Sequence, residues 1–227
     1  MSKICSELHC LVHQSPSFSF PFDPKRIPAN GIYVLLEAGE YAHDGLRIVR
    51  VGTHNGEKQL PSRLSQHFLK SNKDRSIFRK NIGRALLNKA KDPFLAQWEL
   101  DLTTKEAKQK HASTLDFAKQ TAVERQVTEY FQENFSFVIF RVDDASTRLE
   151  FESKMISTVS LCKECGPSER WLGHCSPKAK ISNSGLWVVN ELYKAPLLET
   201  DFSRLKGLEK DSCYGITKES SGHPTTR

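Results

Sequence analysis

Gly31-Ile32-Tyr33-Val34-Leu35-Leu36 is followed, past Gly39 and Asp44-Gly45, by Arg47-Ile48-Val49-Arg50-Val51-Gly52-Thr53-His54. The first run is nearly all apolar, as a strand buried on both faces would be. Turn residues separate it from the second run, which reads as the return strand of a β-hairpin. A third strand is expected at Phe135-Ser136-Phe137-Val138-Ile139-Phe140-Arg141-Val142, where aromatic and β-branched residues dominate and Asp143-Asp144 ends the run.

Helical signals surround these strands. Pro61 suits the first turn of a helix reaching about residue 70, and Leu60, Leu64 and Phe68 recur every four residues along it. Phe78, Ile82 and Leu86 mark a further helix that ends near Pro93, and Val123, Val127 and Tyr130 mark another over 122–133. Residues 94–120 mix Trp and Leu with many charges and carry no readable period. Thr147-Arg148-Leu149-Glu150 has the form of a capping box and starts a helix after the third strand. Cys, Gly, Pro and Ser crowd into 162–185, which reads as loop.

The expected architecture is α+β: a small three-stranded antiparallel sheet flanked by helices, with an extended helical insertion and a C-terminal loop region. Residues 1–29 read as a lead-in, 30–200 as one domain that includes the insertion 71–134, and 201–227 as a polar, disordered tail.

Composition narrows the function classes. The 227 residues carry 33 Lys+Arg against 27 Asp+Glu, a formal charge of +6 that suits a polyanionic partner such as nucleic acid. No apolar stretch approaches the roughly 18 residues that span a bilayer. The start, Met1-Ser2-Lys3-Ile4-Cys5-Ser6, lacks a signal-peptide apolar core, so the cytoplasm is the expected location. The six cysteines are scattered, which favours reduced thiols. Cys162-Lys163-Glu164-Cys165 with His174-Cys175 offers zinc-type ligands, although the adjacent pair is sterically awkward and free loop thiols are the favoured reading.

Three features carry chemistry. Arg63 and His67 stand four apart on one helix face, where Arg can fork onto phosphate oxygens and His can bond phosphate or move a proton. Tyr33 opens the first strand. Glu152 falls on the face defined by Leu149, Ile156 and Val159, where a carboxylate costs several kcal/mol unless it is paired or binds a metal. The bland readings are a solvated helix face, a core aromatic, and a glutamate bent to solvent or salt-bridged.

Taken in order, Gly31-Ile32-Tyr33, Val51-Gly52-Thr53, Arg63 on a helix and Glu152 on a helix after the third strand resemble the GIY-YIG nuclease superfamily. The resemblance covers roughly residues 30–160, about half of the chain. The Arg63-x-x-x-His67 spacing is similar to that of GIY-YIG restriction enzymes. Val49-Arg50-Val51-Gly52-Thr53-His54, Ser76-Ile77-Phe78-Arg79 and Trp171-Leu172-Gly173 are similar to GIY-YIG-like bacterial proteins.

The resemblance implies that Glu152 ligates Mg²⁺ or Mn²⁺, that Tyr33 helps activate water, that Arg63 stabilises charge on the phosphate, and that His67 assists. Arg50 occupies the position of the family's second tyrosine, with His54 or Tyr41 as substitutes for its proton work. Arg50 and Arg79 are then the expected substrate contacts, and Asn183 and Asn190 the candidates for a late asparagine. The implied activity is metal-dependent hydrolysis of DNA, of restriction or defence type, with RNA as another substrate to test. The alternatives are a catalytically inactive nucleic-acid-binding module and a protein-interaction domain.

Overall fold

A computed structural model describes residues 2–217, with side chains described over 3–208. In chain order the elements are α1 (Ser2–Gln14), β1 (Ser17–Ser19), β2 (Ile32–Ala42), β3 (Gly45–Gly52), α2 (Leu60–Phe68), α3 (Ile77–Lys89), α4 (Leu95–Trp98) and α5 (Lys105–His111). There follow α6 (Phe117–Asn134), β4 (Phe135–Phe140), α7 (Ala145–Ser160), α8 (Ala179–Ser184) and α9 (Glu199–Thr217).

The expected hairpin is β2–β3, and the expected third strand is β4. The sheet is antiparallel in the order β1-β4-β2-β3, so β2 lies inside it, between β4 and β3. The expected three strands become four because Ser17, Phe18 and Ser19 pair with Val138, Phe137 and Ser136. The turn of the hairpin sits one residue earlier than its Asp-Gly signal: His43 and Asp44 take the two positive φ values, 50° and 64°.

The continuous apolar run of β2 has its cause in a layer of helices on each face. Tyr33 and Leu35 join Leu64, Phe68, Phe78, Ile82, Val127 and Phe131, the layer of α2, α3 and α6. Ile32, Val34 and Leu36 join Leu8, Val12, Phe151, Met155, Phe202 and Leu205, the layer of α1, α7 and α9. Each such side chain contributes about 1.5–3 kcal/mol when fully buried. Alternation along a single strand thus feeds two cores.

Both ends of the described chain pack on this core. The segment 1–29 contributes α1, whose Cys5, Leu8, Leu11 and Val12 are buried on one face. Its spacing of three and four is helical, but the interleaved His and Cys residues obscure it in the sequence. The expected tail begins inside α9, where Phe202 and Leu205 are fully packed; residues 218–227 lie outside the described residues. The insertion is helical as expected, and α3 and α6 pack directly on the sheet.

Several buried charged side chains are held by fixed hydrogen-bond partners. Glu37 at the end of the β2 run accepts from Tyr130 Oη (2.5 Å), Trp171 Nε1 (2.9 Å) and Trp187 Nε1 (2.9 Å). Burial raises its pKa while those donors oppose the rise. The stretch Trp171-Leu172-Gly173 is explained by this anchor, because a Cβ at Gly173 would meet the Trp171 ring. The outer edge of β3 is covered by the segment 185–188: Trp187 N–H donates to Val49 O (2.8 Å), Arg47 Nη1 to Gly185 O (2.5 Å), and Arg50 Nη1 to Trp187 O.

Candidate active site

The functional side chains converge at the end of β3. Gly52 lies opposite Tyr33 in the ladder, and a Cβ at Gly52 would come within 2.9 Å of Tyr33 Cε2 and closer still to its hydroxyl. Gly31 is equally constrained, since its Cβ would stand 2.5 Å from Phe140 O. These two glycines let the strands close tightly and release the chain at Thr53 toward α2.

Beyond Thr53 a polar cavity of about 350 Å³ opens between this loop, α2 and α7, lined by Thr53, His54, Ser62, Arg63, Gln66 and Glu152 among others. A second cavity of about 380 Å³ adjoins it across Leu149 and Glu152, with Arg50, Asn81, Asn190 and Glu191 on its walls. Glu152 therefore faces both.

Its placement corrects the expected helix face. The N-cap of α7 is Asp144, whose carboxylate accepts from Thr147 N–H (2.7 Å), so the helix starts at Ala145 rather than at the Thr147 box. The core face is Phe151, Met155 and Val159 with Ile156, whereas Leu149 is 56% exposed. Glu152 is not on that core face; it is half-buried on the flank turned to the cleft.

Burial raises the Glu152 pKa. The Arg50 guanidinium, the Thr53 backbone N–H and Arg63 favour its carboxylate form, while Glu191 opposes it. Arg63 itself is loosely held, with Nη1 donating to Gln66 Oε1 and Arg75 O at 3.3 Å each. Arg50 is more firmly fixed. Besides bonding Trp187 O, it lies 4.6 Å over the Phe78 ring, and its buried Nε has no hydrogen-bond partner among the described residues.

Tyr33 and His67 stand behind the cleft. Both are fully buried, and Tyr33 Oη is 3.0 Å from His67 Nε2. His67 Nδ1 is 2.7 Å from Ser76 Oγ, which also accepts from Arg79 N–H as the N-cap of α3. Burial, with Arg63, Arg50 and Arg79 adding to it, holds the His67 pKa well below 6.5, so the ring is neutral. The hydroxyl–imidazole–hydroxyl chain ties β2, α2 and α3 together.

The remaining expected residues separate. His54 lines the cleft, but both ring nitrogens face the backbone: Gly31 N–H donates to Nε2 (3.4 Å) and Nδ1 faces Gly56 O (3.1 Å). Those partners require Nδ1–H and leave no free nitrogen for proton transfer.

Tyr41 is 69% exposed at the far end of the hairpin, paired with Leu46, and does not reach the site. Arg79 is not a substrate contact. It is wholly buried, with Nε and Nη2 on Glu124 (3.1 and 2.7 Å) and Nη1 on His67 O (2.9 Å). Asn183 is exposed on α8, while Asn190 lines the second cavity.

The zinc-type ligands Cys162, Cys165, His174 and Cys175 do not gather at one point. Exposed His174 lies 2.9 Å from Ser168 O and packs edge-on to Trp171, and Cys175 sits at the end of the 3-10 turn Leu172–Cys175 near Asn88. The turn is anchored by Trp171 and Leu172 on the opposite core from Cys162 and Cys165. Gln66 and Asn81 join the cavity walls without a sequence signal, since single polar residues at helix positions carry no period.

A family model described as GIY-YIG domain matches residues 4–210. The chain belongs to that family, whose members are nucleases acting on nucleic acid. No curated protein and no solved structure matches it. Among the described residues no helix is long and apolar enough to cross a membrane.

Proposed function

We propose that this GIY-YIG domain is a divalent-metal-dependent endonuclease that hydrolyses DNA phosphodiester bonds, with its reaction centre at Glu152. The observation that carries the reading is one half-buried carboxylate, favoured by the Thr53 N–H, at the junction of a polar cavity and a mixed one, flanked by Arg50 and Arg63. Side chains with hard oxygen donors suit Mg²⁺ or Mn²⁺, and a cation that keeps several waters needs little more than one carboxylate from the protein. Glu152 would hold it. When bound, such an ion supplies positive charge against phosphate oxygens and a more acidic water.

The chain's own residues then divide the remaining work. Arg63, weakly tethered at the rim, is free to turn its fork onto a phosphate oxygen and to oppose charge developing there. Arg50 favours the carboxylate form of Glu152 against the cost of burial. Tyr33 and His67 act as positioning residues: their buried hydrogen bond locks α2 onto β2, one turn from Arg63. In this arrangement the Tyr33 hydroxyl is bonded to His67. The Arg63–His67 spacing, similar to that of the family's restriction enzymes, favours a restriction or defence role, and the net positive charge favours DNA or RNA as the partner.

The test is plasmid DNA with Mg²⁺, Mn²⁺ or EDTA, using wild type, Glu152→Gln and Arg63→Ala. Cleavage that needs metal and disappears in Glu152→Gln is expected. A second reading, a binding module without catalysis, is favoured by Arg50 at the second tyrosine position and by its firm ties to Trp187 and Phe78. Salt-dependent binding without nicking in any metal would establish it in place of the first.

A further inference from the structure

Several thiols and imidazoles outside the cleft meet at one point, brought there by three distant parts of the chain. Cys5 comes from α1, His43 from the β2–β3 turn, and Cys162 and Cys165 from the turn that follows α7. Cys5 Sγ and Cys165 Sγ are 3.4 Å apart, and Cys162 Sγ is 3.4 Å from His43 Nε2. One ligand atom from each of Cys5, His9, His43 and Cys165 lies within 4.8 Å of all the others. Cys162 shares a turn with Cys165, whose N–H donates to Cys162 O at 3.4 Å.

These separations have a recognisable scale. A tetrahedral zinc ion with sulfur at about 2.3 Å and nitrogen at about 2.0 Å sets its ligand atoms roughly 3.3–3.8 Å apart. His43 is presented for the role: its Nδ1 faces the Glu164 carboxylate at 3.6 Å, which leaves Nε2 turned to the sulfurs, and its side chain is only 4% exposed. A carboxylate behind the distal nitrogen is how proteins orient a metal-binding imidazole.

His9 is nearer to the backbone than to this task. Its Nδ1 is 2.9 Å from Cys5 O and its Nε2 accepts from Ile48 N–H at 3.2 Å, so both nitrogens are engaged.

The geometry points to a structural zinc site with Cys5, His43, Cys162 and Cys165 as its four ligands. Binding releases the three thiol protons to solvent, the His43 Nε2 lone pair completes the tetrahedron, and no oxidation or reduction occurs. A Cys₃His set with a C-x-x-C pair is closed, leaving no position for substrate. The ion would fasten α1 and the hairpin turn to the end of α7, the helix that carries Glu152. The inference does not depend on the nuclease reading.

The test uses the untagged full chain, reduced and stripped of metal under nitrogen, titrated with Co²⁺ and then Zn²⁺. One equivalent of cobalt should give thiolate charge-transfer and tetrahedral visible bands, and zinc should displace it. Cys162→Ser and His43→Gln should each weaken binding by more than Glu164→Gln, for which about 10–100-fold is expected of an outer partner. His9→Gln and Glu152→Gln should still take up one equivalent with the same spectrum. Failure of the folded, reduced wild type to bind either ion, or recovery of a Cys5–Cys165 disulfide in place of metal uptake, overturns the site. Loss of binding in His9→Gln but not in Cys162→Ser overturns the assignment of the fourth ligand.

Discussion

Gly52→Ala should destabilise the fold through one neighbour, and the effect should vanish when that neighbour is shortened. The new methyl would fall 2.9 Å from Tyr33 Cε2 and nearer still to Cζ and Oη. Ordinary carbon contacts begin near 3.5 Å, so the ring would have to move by more than about half an ångström. It cannot do so freely, because it is fully buried and its hydroxyl is bonded to His67. Overpacking of this kind costs about 1–3 kcal/mol, which for a chain of this size is a fall in Tm of roughly 3–10 °C.

Urea unfolding of wild type, Gly52→Ala, Tyr33→Leu and the double variant closes a thermodynamic cycle. The coupling should recover most of the Gly52→Ala loss, because the shorter side chain of Tyr33→Leu leaves room for the methyl. Equal costs of Gly52→Ala in both backgrounds would show that the glycine serves the backbone alone and that its opposition to Tyr33 is incidental.

Other expectations follow from the buried charges. Glu152→Gln should raise stability at neutral pH by about 0.5–2 kcal/mol while abolishing cleavage, as when a strained functional group is removed; a loss of stability would make the carboxylate a structural partner of Arg50. Burial depresses the pKa of His67 below 6.5, so an unfolded chain takes up a proton that the folded chain refuses. Stability should therefore be lost as pH falls below about 6.5, at up to about 1.4 kcal/mol per unit for one proton. His67→Gln should flatten the Tm profile between about pH 7.5 and 5.5, with His54 supplying a residual slope of the same sign. An unchanged profile would contradict the buried neutral ring. Arg79→Met should cost about 3–5 kcal/mol by stranding Glu124. It should leave the salt slope of DNA binding unaltered, whereas Arg63→Ala should reduce that slope by about 0.9.

The hairpin and the third strand were legible because β2 and β4 are apolar enough to announce themselves whatever covers them. What covers them was less so: α1 hides its Leu8, Leu11 and Val12 among His9, Cys10 and His13, and α9 signals itself with little more than Phe202 and Leu205. The line of Leu149, Ile156 and Val159 that draws notice to Glu152 in the sequence is not the core face of the helix. Leu149 marks the solvent side of α7, and the true core line of Phe151, Met155 and Val159 runs beside it. Arg79 misled for the opposite reason, because a guanidinium that completes a buried pair with Glu124 looks in sequence like one that awaits a phosphate. Along the chain the neighbours of Cys162 and Cys165 are His174 and Cys175, whereas in space they are Cys5 of α1 and His43 of the hairpin turn.

The segment 185–188 that lies along β3 has a consequence for self-association. A sheet whose last strand ends in open N–H and C=O groups invites a second chain to continue the ladder. Here the Trp187 amide is bonded to Val49 O, and two arginines of β3 hold the same segment through Gly185 O and Trp187 O. The opposite border is β1, only three residues long. Among the described residues the β3 margin is therefore clasped by its own chain, and β1 leaves a second chain only three residues on which to continue the ladder.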